Sequence, residues 1–331
     1  MKNVWFVAGD IGGTKALLAL FRQDGAIRNP VFERRYPSAL YSGPGAIIRE
    51  FVASCEEMPS FAVIAIAGPV EDGRVNATNL GWQTDSSRAA AEAGLQHVVF
   101  INDLEAAVYG IPALDATDFF LLSPGHGENE RAPFGIVAPG TGLGEAAGIW
   151  CEERLRAVAT EGGHASFAPC GMDGAALFRF MTRRQGHVSV EDLCSGRGLV
   201  NLYRFLLEKN REGLFGEQDI LAGDIVPGIV ENALEGRCRT CSATIGLFLD
   251  ILASEAGNMA LRFLASGGIF ISGGIAPRII RLVDRKRFAE IFMAKGPMSE
   301  WLGGVPLKIV LDNRLPLYGA AAKGMEYGPI P

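Results

Sequence analysis

The order of apolar and polar residues predicts that the chain opens with a β meander. Val4–Ala8 is a continuous apolar run, a glycine-rich stretch follows it, and Ala16–Phe21 is apolar again. Short apolar runs bounded by turn residues are typical of strands joined by tight hairpins. Ile27–Tyr36 is a candidate third strand. This pattern favours neighbouring paired strands over the strand–helix unit with which a dinucleotide-binding fold begins.

The next part of the chain alternates between helical periodicity and buried strands. Residues 45–57 repeat apolar side chains at helical spacing, whereas Phe61–Ala67 and His97–Ile101 are apolar runs of strand length. The second of these runs ends at the polar pair Asn102 and Asp103. Strands and helices mixed in this way predict an α/β fold.

The second half of the chain repeats the strand–turn–strand opening. Phe134–Ala138 and Glu145–Trp150 are predicted strands, and the turn between them contains three glycines. Such a repeat indicates a duplicated lobe, with one glycine-rich hairpin in each copy. We therefore expect a small lobe at residues 1–112, to which residues 313–331 return, and a large lobe at residues 113–312.

The large lobe is expected to carry helical insertions, because residues 172–265 have mainly helical periodicity. The predicted elements are helices at Ala175–Gln185, Gly198–Lys209, Glu217–Leu234 and Ser242–Phe263, a strand at Gly268–Ser272, a helix that begins at Ala276–Arg278, a strand at Val305–Leu311 and a last helix at Leu317–Gly324.

Length and charge narrow the class of protein. With 331 residues, 48% of them hydrophobic and 21% charged, the chain is long enough for two globular domains that each bury a core. The net charge of −6 argues against nucleic acid or an anionic membrane as a partner, because either favours a basic surface. The N-terminus lacks a signal-peptide pattern, and the longest uncharged runs are too short to cross a bilayer. We expect a soluble protein.

Six cysteines are scattered along the chain. Without a signal-peptide pattern, this distribution predicts reduced thiols in the cytosol. Cys238 and Cys241 have the CxxC spacing of a redox or zinc half-site. Since no second CxxC follows, we favour a solvent-side or helix-packing pair.

The glycine-rich turn between the first two strands is a candidate phosphate-binding loop. It consists of Gly9, Asp10, Ile11, Gly12, Gly13 and Thr14. Glycines allow backbone N–H groups to approach phosphate oxygens, and the Thr14 hydroxyl is a further donor. Asp10 can hold Mg²⁺ directly or through water, since this cation prefers oxygen ligands. An ordinary Gly-Gly hairpin is the alternative. The turn is not a Walker loop, because no Lys-Ser/Thr pair follows it.

Two further glycine-rich segments extend this interpretation. Gly140, Thr141 and Gly142 form the turn of the second hairpin and again combine glycines with one hydroxyl. Two such turns can hold a triphosphate from both sides. Gly273 and Gly274 follow a predicted strand and permit close approach of an adenine ring or a ribose, although a plain strand–helix corner explains them equally well.

Asn102 and Asp103 lie at the carboxyl end of a buried strand, where α/β folds bind ligands. Transfer of a phosphoryl group to a hydroxyl needs a carboxylate that accepts the hydroxyl proton. Asp103 is our candidate for this base. Its alternative role is to cap a helix predicted at Leu104–Gly110, and the two roles are compatible.

A second group of polar residues suits a ligand rich in hydroxyl groups. Glu161 and His164 flank a Gly-Gly bend, Glu191 follows a candidate helix cap at Ser189, and Asn79 adds an amide. One carboxylate accepts hydrogen bonds from two neighbouring hydroxyls of a pyranose. The structural alternatives are a histidine that serves packing and a glutamate that stabilises the first turn of a helix. The position of His164 beside Glu161 favours the ligand interpretation.

Taken in order, these segments resemble the bacterial glucokinase family of the hexokinase/actin/Hsp70 superfamily. The resemblance spans residues 4–324, nearly the whole chain, and its long, ordered motifs make it specific. The segments that carry it are Gly9–Thr14, Ala77–Trp82, Ile101–Asp103, Gly140–Gly144, Glu161–His164, Gly186–Val188 with Glu191, Ser195–Tyr203 and Ile271–Arg278.

The resemblance implies a fold of two duplicated ribonuclease H-like lobes, of the actin/hexokinase type, with a central cleft. It also implies ATP-dependent phosphorylation of D-glucose to glucose 6-phosphate, the first step of glycolysis, by a cytoplasmic homodimer. By the same resemblance, the two glycine-rich turns hold the phosphates of ATP, Gly273 and Gly274 belong to the adenosine site, Asp103 is the base, and Asn102, Glu161, His164 and Glu191 are the glucose ligands.

Two departures from the family pattern affect this interpretation. Lys15 stands where the family commonly has Asn, which alters the phosphate environment but not the backbone cradle. The cysteine-rich zinc motif of the related repressor and kinase branch is missing, which favours the bacterial glucokinase branch. A kinase for mannose or N-acetylglucosamine stays open. A non-catalytic sugar sensor is disfavoured, because the phosphate hairpin begins at Gly9 and leaves no room for a helix-turn-helix.

Overall fold

The fold comes from a computed structural model that describes residues 4–77, 80–127, 129, 131–209 and 225–327. The predicted ligand Asn79 and residues 217–224 of one predicted helix lie outside the described residues. The chain folds as two compact units. Unit 1 contains the described residues of Met1–Ala116, Cys151–Ala159 and Asp312–Pro331, and unit 2 those of Thr117–Trp150 and Thr160–Leu311.

The strands of the described residues are, in chain order, β1 (Trp5–Ile11), β2 (Lys15–Arg22), β3 (Phe32–Pro37), β4 (Phe61–Ile66), β5 (Val70–Glu71), β6 (Arg74–Ala77), β7 (Trp82–Asp85), β8 (His97–Asn102), β9 (Phe119–Ser123), β10 (Phe134–Pro139), β11 (Leu143–Cys151), β12 (Arg154–Thr160), β13 (Gly268–Ile271) and β14 (Leu307–Val310).

The helices of the described residues are α1 (Pro44–Val52), α2 (Ser86–Ala93), α3 (Asp103–Gly110), α4 (Gly171–Gln185), α5 (Gly196–Lys209), α6 (Ile225–Leu234), α7 (Arg239–Phe263), α8 (Arg285–Met293), α9 (Ser299–Gly303) and α10 (Leu315–Glu326). Within the described ranges, none of these helices combines the length and the apolar character needed to span a bilayer.

The main sheet of unit 1 has the strand order β3-β2-β1-β4-β8. The first three strands form the predicted antiparallel meander, whereas β1–β4 and β4–β8 pair in parallel. The strand β4 is buried along its whole length, as its uninterrupted apolar sequence predicts for a central strand. The carboxyl ends of β1, β4 and β8 therefore meet at one edge of this sheet.

Helices cover both faces of this sheet. One face packs on α1 and α2, and the other packs on α3 and α10. On the second face, Phe6 stacks between Phe21 and Phe61. The helices α3 and α10 approach so closely that a β-carbon on Gly319 would overlap the carbonyl oxygen of Ala106. Small residues in α10 are needed for this contact, which fixes the start of α3 against the sheet.

The sheet of unit 2 repeats the succession of strands found in unit 1. It contains the order β11-β10-β13-β14-β9, in which the β10–β11 hairpin is antiparallel and β10–β13 and β13–β14 are parallel. The pattern of β2-β1-β4-β8 in unit 1 is the same. The predicted α/β fold with a duplicated, hairpin-led sheet is confirmed.

One sequence prediction about a helix start is wrong. Ala276–Arg278 is a single 3₁₀ turn without a side-chain cap, and α8 begins only at Arg285. The reason is that Asp284 supplies the cap there, because its carboxylate accepts a hydrogen bond from the N–H of Arg287 at 3.1 Å. Glu191 lies in a turn that precedes α5, so the structural alternative, in which this residue stabilises the first turn of a helix, does not apply.

Candidate functional site

The carboxyl-end edge of the unit 1 sheet carries two aspartates. Asp10 stands near the end of β1, in register with Ala65 of β4 and, through it, with Ile101 of β8. Asp103 follows β8 directly. Burial first, and then the nearby charge of Asp103, raise the pKa of Asp10 to about 7. Burial also raises the pKa of Asp103 to about 6, against hydrogen bonds that lower it. The edge therefore holds two carboxyl groups that titrate near neutral pH.

The cap of α3 is Asn102 and not Asp103. The Oδ1 atom of Asn102 accepts hydrogen bonds from the N–H groups of Leu104 at 2.9 Å and Glu105 at 3.2 Å. Its Nδ2 donates to the carbonyl oxygen of Gly68 at 3.1 Å. Asp103 is the first helical residue, and its Oδ1 also accepts from Leu104 N–H, at 3.0 Å. The cap thus orients the neighbouring aspartate, and the Asn102 amide also interacts with the carboxylate of Asp103.

The first glycine-rich segment divides into a strand part and a turn part. Gly9 and Ile11 are buried in β1, where a β-carbon on Gly9 would lie 2.8 Å from Ile64 Cδ1. Their role in the structure is packing. Gly13 and Thr14 are exposed at the tip of the hairpin, which the N–H of Gly12 closes by donating to the carbonyl oxygen of Lys15 at 3.0 Å.

Ser38 holds this turn in place, and the sequence analysis missed it. Its fully buried hydroxyl donates to the carbonyl oxygen of Gly12 at 2.8 Å, and its N–H donates to the carbonyl oxygen of Thr14 at 3.2 Å. A serine after a strand gives no sequence signal for such a role, because the contact joins segments that are separated along the chain.

In unit 2, the glycine-rich turn at Gly140–Gly142 and the residues beside it contact two other segments, one that contains Glu191 and one that contains Gly273. The N–H of Gly140 donates to the carbonyl oxygen of Gly142 at 2.8 Å, and the carboxylate of Glu191 accepts from the N–H of Leu143 at 2.9 Å. Gly273 has a φ of +82°, and a β-carbon there would lie 2.5 Å from the carbonyl oxygen of Pro139. Glycine is required at this position for both reasons. Gly274 beside it is exposed.

The other polar candidates of unit 2 lie next to this turn. Glu161 and His164 flank a 3₁₀ turn, both are exposed, and His164 Nε2 lies 3.9 Å from Glu161 Oε2. The N–H of Glu191 donates to the carbonyl oxygen of Gly163 at 2.9 Å. Glu191 therefore connects the bend that carries Glu161 and His164 with the glycine-rich turn. The structure brings these predicted residues of unit 2 together.

Arg197 is a further residue to which the sequence analysis assigned no role. Its Nη2 donates to Glu191 Oε1 at 3.2 Å and to Asp192 Oδ1 at 3.0 Å. The guanidinium thus binds one oxygen of the Glu191 carboxylate, and the N–H of Leu143 binds the other. The only signal in the sequence was its place in the Ser195–Tyr203 motif, which does not reveal the partner.

The CxxC pair is part of a helix cap. The Sγ atom of Cys238 accepts from the N–H of Cys241 at 3.2 Å at the start of α7, Cys241 is buried, and both thiols are free. The helix-packing interpretation is supported. Within the described part of the chain, no group of three or more His, Cys, Asp or Glu side chains is arranged to hold a metal ion.

Each unit offers a different chemistry. Unit 1 presents carboxyl groups that can take up a proton near neutral pH or bind a cation, beside a turn with exposed backbone. Unit 2 presents a second glycine-rich turn, bonded to a carboxylate and near an imidazole. Carboxylates accept hydrogen bonds from sugar hydroxyls, and glycine-rich turns donate hydrogen bonds to phosphates.

Comparison with known proteins matches this combination to one family. A family model described as glucokinase matches residues 7–327. The glucokinase of Nostoc punctiforme is 35% identical over 95% of this chain and 97% of its own length. The crystal structure of glucokinase from an Antarctic psychrotroph is 32% identical, with a TM-score of 0.83 over 97% of this chain and 99% of that chain.

A more distant structure shares the fold. A ROK family glucokinase from Streptomyces griseus, solved in complex with glucose and AMPPNP, has a TM-score of 0.64 at 20% identity and covers 96% of this chain and 98% of its own. The family match spans nearly the whole sequence, including both glycine-rich turns and the aspartates of β1 and α3. The chain belongs to the glucokinase family.

Proposed function

We propose that this protein transfers the γ-phosphoryl group of ATP to D-glucose, with Asp103 as the general base. The observation that carries the proposal is the position of Asp103 at the carboxyl end of β8, with a pKa raised to about 6 by burial. A carboxyl group with such a pKa is mostly ionised at neutral pH and still basic enough to accept a proton. Membership of the glucokinase family supports the substrates.

In the reaction, the C6 hydroxyl oxygen of glucose attacks the γ-phosphorus while the bond from that phosphorus to the bridging oxygen of ADP breaks. The hydroxyl proton passes to the carboxylate of Asp103, and the products are glucose 6-phosphate and ADP. The hydrogen bond from Leu104 N–H fixes the orientation of this carboxylate. Most of the catalytic effect then comes from positioning and from stabilising charge on the transferred group.

The sugar ligands that we propose are Asn79, Asn102, Glu161, His164 and Glu191, together with Asp103. Asn102 lies beside Asp103 at the carboxyl end of β8, where its amide can bind a sugar hydroxyl. The two oxygens of Glu191 each accept one protein hydrogen bond and keep lone pairs for sugar hydroxyls.

ATP is proposed to bind along the two glycine-rich turns. The phosphate groups would meet the backbone N–H groups of the Gly9–Thr14 and Gly140–Gly142 segments, with Thr14 and Thr141 as hydroxyl donors. The exposed backbone of Gly273 and Gly274 would accept the adenosine part. In the first segment, the exposed tip at Gly13 and Thr14 supports this role more directly than the buried strand residues do.

Mg²⁺ fits the acidic edge of unit 1. Burial first, and then the charge of Asp103, disfavour the ionised form of Asp10, and a divalent cation relieves both effects. Asp10 would hold the ion directly or through water. When bound, the ion supplies positive charge that neutralises the phosphate oxygens.

We further propose that the protein acts in the cytoplasm, in the first step of glycolysis, as a homodimer. Support comes from the family resemblance and from the free state of its cysteines among the described residues. Size-exclusion chromatography with light scattering tests the dimer independently of activity.

The decisive experiment is a coupled assay of ADP release with a panel of hexoses. A site with several acceptors rejects sugars that leave those acceptors unpaired, by up to about 10⁴–10⁵ in favourable cases. Glucose should therefore exceed galactose and fructose in kcat/KM by a wide margin. Equal values for all hexoses would contradict the proposed set of ligands, and a preference for mannose or N-acetylglucosamine would reassign the substrate.

A further inference from the structure

A cluster of charged residues in the interior of unit 2 has no part in the proposed reaction. Glu145 of β11 is 2% exposed and Glu255 of α7 is 3% exposed. Arg262 follows Glu255 by 7 residues, or two turns, along α7. Its Nη1 atom donates to Glu255 Oε1 at 2.7 Å and to Glu145 Oε2 at 3.3 Å. Two buried carboxyl groups therefore share a single, partly exposed guanidinium.

The charge of this cluster does not balance if both carboxyl groups are ionised. Glu145 Oε1 is buried and, within the described residues, has no hydrogen-bond donor. The two carboxyl groups are close neighbours, because the same Nη1 atom of Arg262 bonds both. One proton between them supplies the missing donor and removes the excess negative charge. Burial first, and then the charge of Glu255, raise the pKa of Glu145 to about 7, although Arg262 lowers it.

The carboxylate of Glu145 also supports the bend that carries two predicted sugar ligands. A β-carbon on Gly162 would overlap Glu145 Oε2, so the bend rests directly on this side chain. The Thr160 hydroxyl donates to the carbonyl oxygen of Glu145 at 2.9 Å and accepts from the N–H of Gly162 at 3.1 Å. Any movement of the Glu145 carboxylate is therefore transmitted to the residues on either side of the bend, Glu161 and His164.

We propose that Glu145 and Glu255 share one proton beneath the Gly162–Gly163 bend, and that this pair, which is electrically neutral together with Arg262, is a positioning group for Glu161 and His164. The sharing of the proton is independent of the reaction. The consequence for glucose binding rests on the proposed function.

The groups that face this pair come from several elements. Arg262 belongs to α7, the helix that also carries Glu255. Cys194 lies in the turn before α5, and Lys295 follows α8. The Lys295 ammonium is engaged with Asn258 Oδ1 at 2.7 Å and Ser254 Oγ at 3.0 Å, while Asn258 Nδ2 donates to Glu255 Oε2 at 2.9 Å. Loss of the shared proton leaves two carboxylates in contact, and their repulsion acts on the bend above them.

The variant that tests the proposal is Glu145→Gln, which resembles the protonated residue in shape and can donate to Glu255. In the wild type, the KM for glucose should rise at least about threefold between about pH 6 and about pH 8.5, with a smaller change in kcat. Glu145→Gln should keep the low KM over the whole range. Asp250→Asn is the matched control, because it removes a carboxylate on the same helix that pairs with Arg287 at the surface. It should retain the wild-type pH dependence.

Two measurements do not require activity. Infrared spectroscopy of the wild type should show bands of protonated, buried carboxyl groups that disappear near neutral pH. Asp10 and Asp103 contribute to these bands in every variant, so the signal of the pair is the part that both Glu145→Gln and Glu255→Gln lack in difference spectra against the wild type. The chain has four histidines, so the imidazole NMR signal of His164 can be assigned with a His164→Gln variant. Its pH dependence should differ between wild type and Glu145→Gln, and should not differ between wild type and Asp250→Asn.

The outcomes separate the two proposals. A wild type that phosphorylates no hexose would overturn the proposed function, and the infrared and NMR results would still decide the inference. Equal carboxyl bands in the wild type and the two glutamine variants, or an identical pH dependence of the His164 signal in wild type and Glu145→Gln, would overturn the inference, whatever the activity. The inference would also be overturned if an active Glu145→Gln enzyme showed the wild-type dependence of glucose KM on pH.

Discussion

Two aspartates follow equivalent strands of the duplicated sheets, and their surroundings differ. Asp103 follows β8 and begins α3, whereas Asp312 follows β14 and precedes α10. Asp312 accepts hydrogen bonds from Arg314 at 3.0 Å and from the Tyr318 hydroxyl at 2.9 Å. Although burial opposes the shift, these contacts lower the pKa of Asp312. Burial raises the pKa of Asp103, whose hydrogen-bond donors among the described residues are amides.

This difference shows how one scaffold yields two roles. A carboxylate with an arginine partner is a stable anion and a poor base, because the cation favours the ionised form. A carboxylate held only by amides in a partly buried position keeps its affinity for a proton. The position after the strand is common to both aspartates, and the presence or absence of a neighbouring cation decides which of them is suited to the proposed role of base.

The largest effect is expected from exchanging each aspartate for asparagine. Asp103→Asn should lower kcat by on the order of 10²–10⁴, since the amide cannot accept the hydroxyl proton. Asp312→Asn should stay within about twofold of wild-type kcat, because it changes no group that touches the substrates. Coupled ADP-release assays at saturating glucose measure both.

In the wild type, kcat/KM should fall as the pH drops below about 6, the pKa of Asp103.

Thermal unfolding followed by circular dichroism is the control for folding. A folded Asp103→Asn protein with wild-type turnover would remove Asp103 from the reaction and leave it as a structural residue of α3. A large loss of kcat in folded Asp312→Asn would break the comparison between the two positions.

Stability should respond in opposite directions at Asp10 and Asp312. The pKa of Asp10 is raised in the folded protein, so the stability linked to its proton is present at acid pH and lost as the pH rises through about 7. Asp10→Asn should therefore raise the free energy of unfolding at about pH 8 by on the order of 2–4 kcal/mol, with little gain near pH 4. Asp312→Asn should lower it by about 1–3 kcal/mol, because Arg314 loses its partner.

Chemical denaturation with a chelator and without nucleotide measures both changes. Addition of Mg²⁺ should then stabilise the wild type more than Asp10→Asn, since this carboxylate is the proposed ligand. Destabilisation by Asp10→Asn at pH 8 would show that the buried charge is compensated in the native state.

Glu191 refines the comparison, because it has an arginine partner and is nevertheless a proposed ligand. A sugar ligand has to accept hydrogen bonds and need not take up a proton, so an arginine partner is compatible with this role. Glu191→Gln should raise the KM for glucose by about 10-fold to 100-fold through loss of charged hydrogen bonds. Arg197→Ala should raise it less, since the carboxylate remains. Steady-state kinetics with glucose varied at saturating ATP tests both. An unchanged KM in Glu191→Gln would exclude this residue from the sugar site.

The smallest effect concerns the way in which the first turn is held. Ser38→Ala removes one buried hydrogen bond to Gly12, which contributes about 1 kcal/mol, so the KM for ATP should rise by roughly fivefold. The matched control is Ser54→Ala, whose hydroxyl bonds the carbonyl oxygen of Glu50 within one exposed helix end. If both variants have the same KM for ATP, the turn does not depend on Ser38.

Much of the site was predictable from short segments of sequence. The apolar run of β4 and the repeated hairpins predict the sheets, because strand formation depends on burial patterns that a few consecutive residues already show. Asp103 was predictable in the same way, since a polar pair directly after a buried strand lies at the edge where ligands bind. Helix starts were less predictable. Asn and Asp are equally good helix caps, so the sequence does not show which of Asn102 and Asp103 caps α3. The helix expected to begin at Ala276–Arg278 begins only after Asp284, which supplies its cap.

Only the tertiary structure decided which distant residues become partners. The contact of Ser38 with Gly12, of Arg197 with Glu191 and of Arg262 with Glu145 each joins a side chain to a group that the local sequence does not specify. The last pair is 117 residues apart along the chain. Local propensity depends on a few consecutive residues. Such pairs depend on how the whole chain folds, because folding brings distant segments together and removes water from around the groups that meet. The pKa values of Asp103 and Asp312 differ for this reason, although both residues follow the same kind of strand.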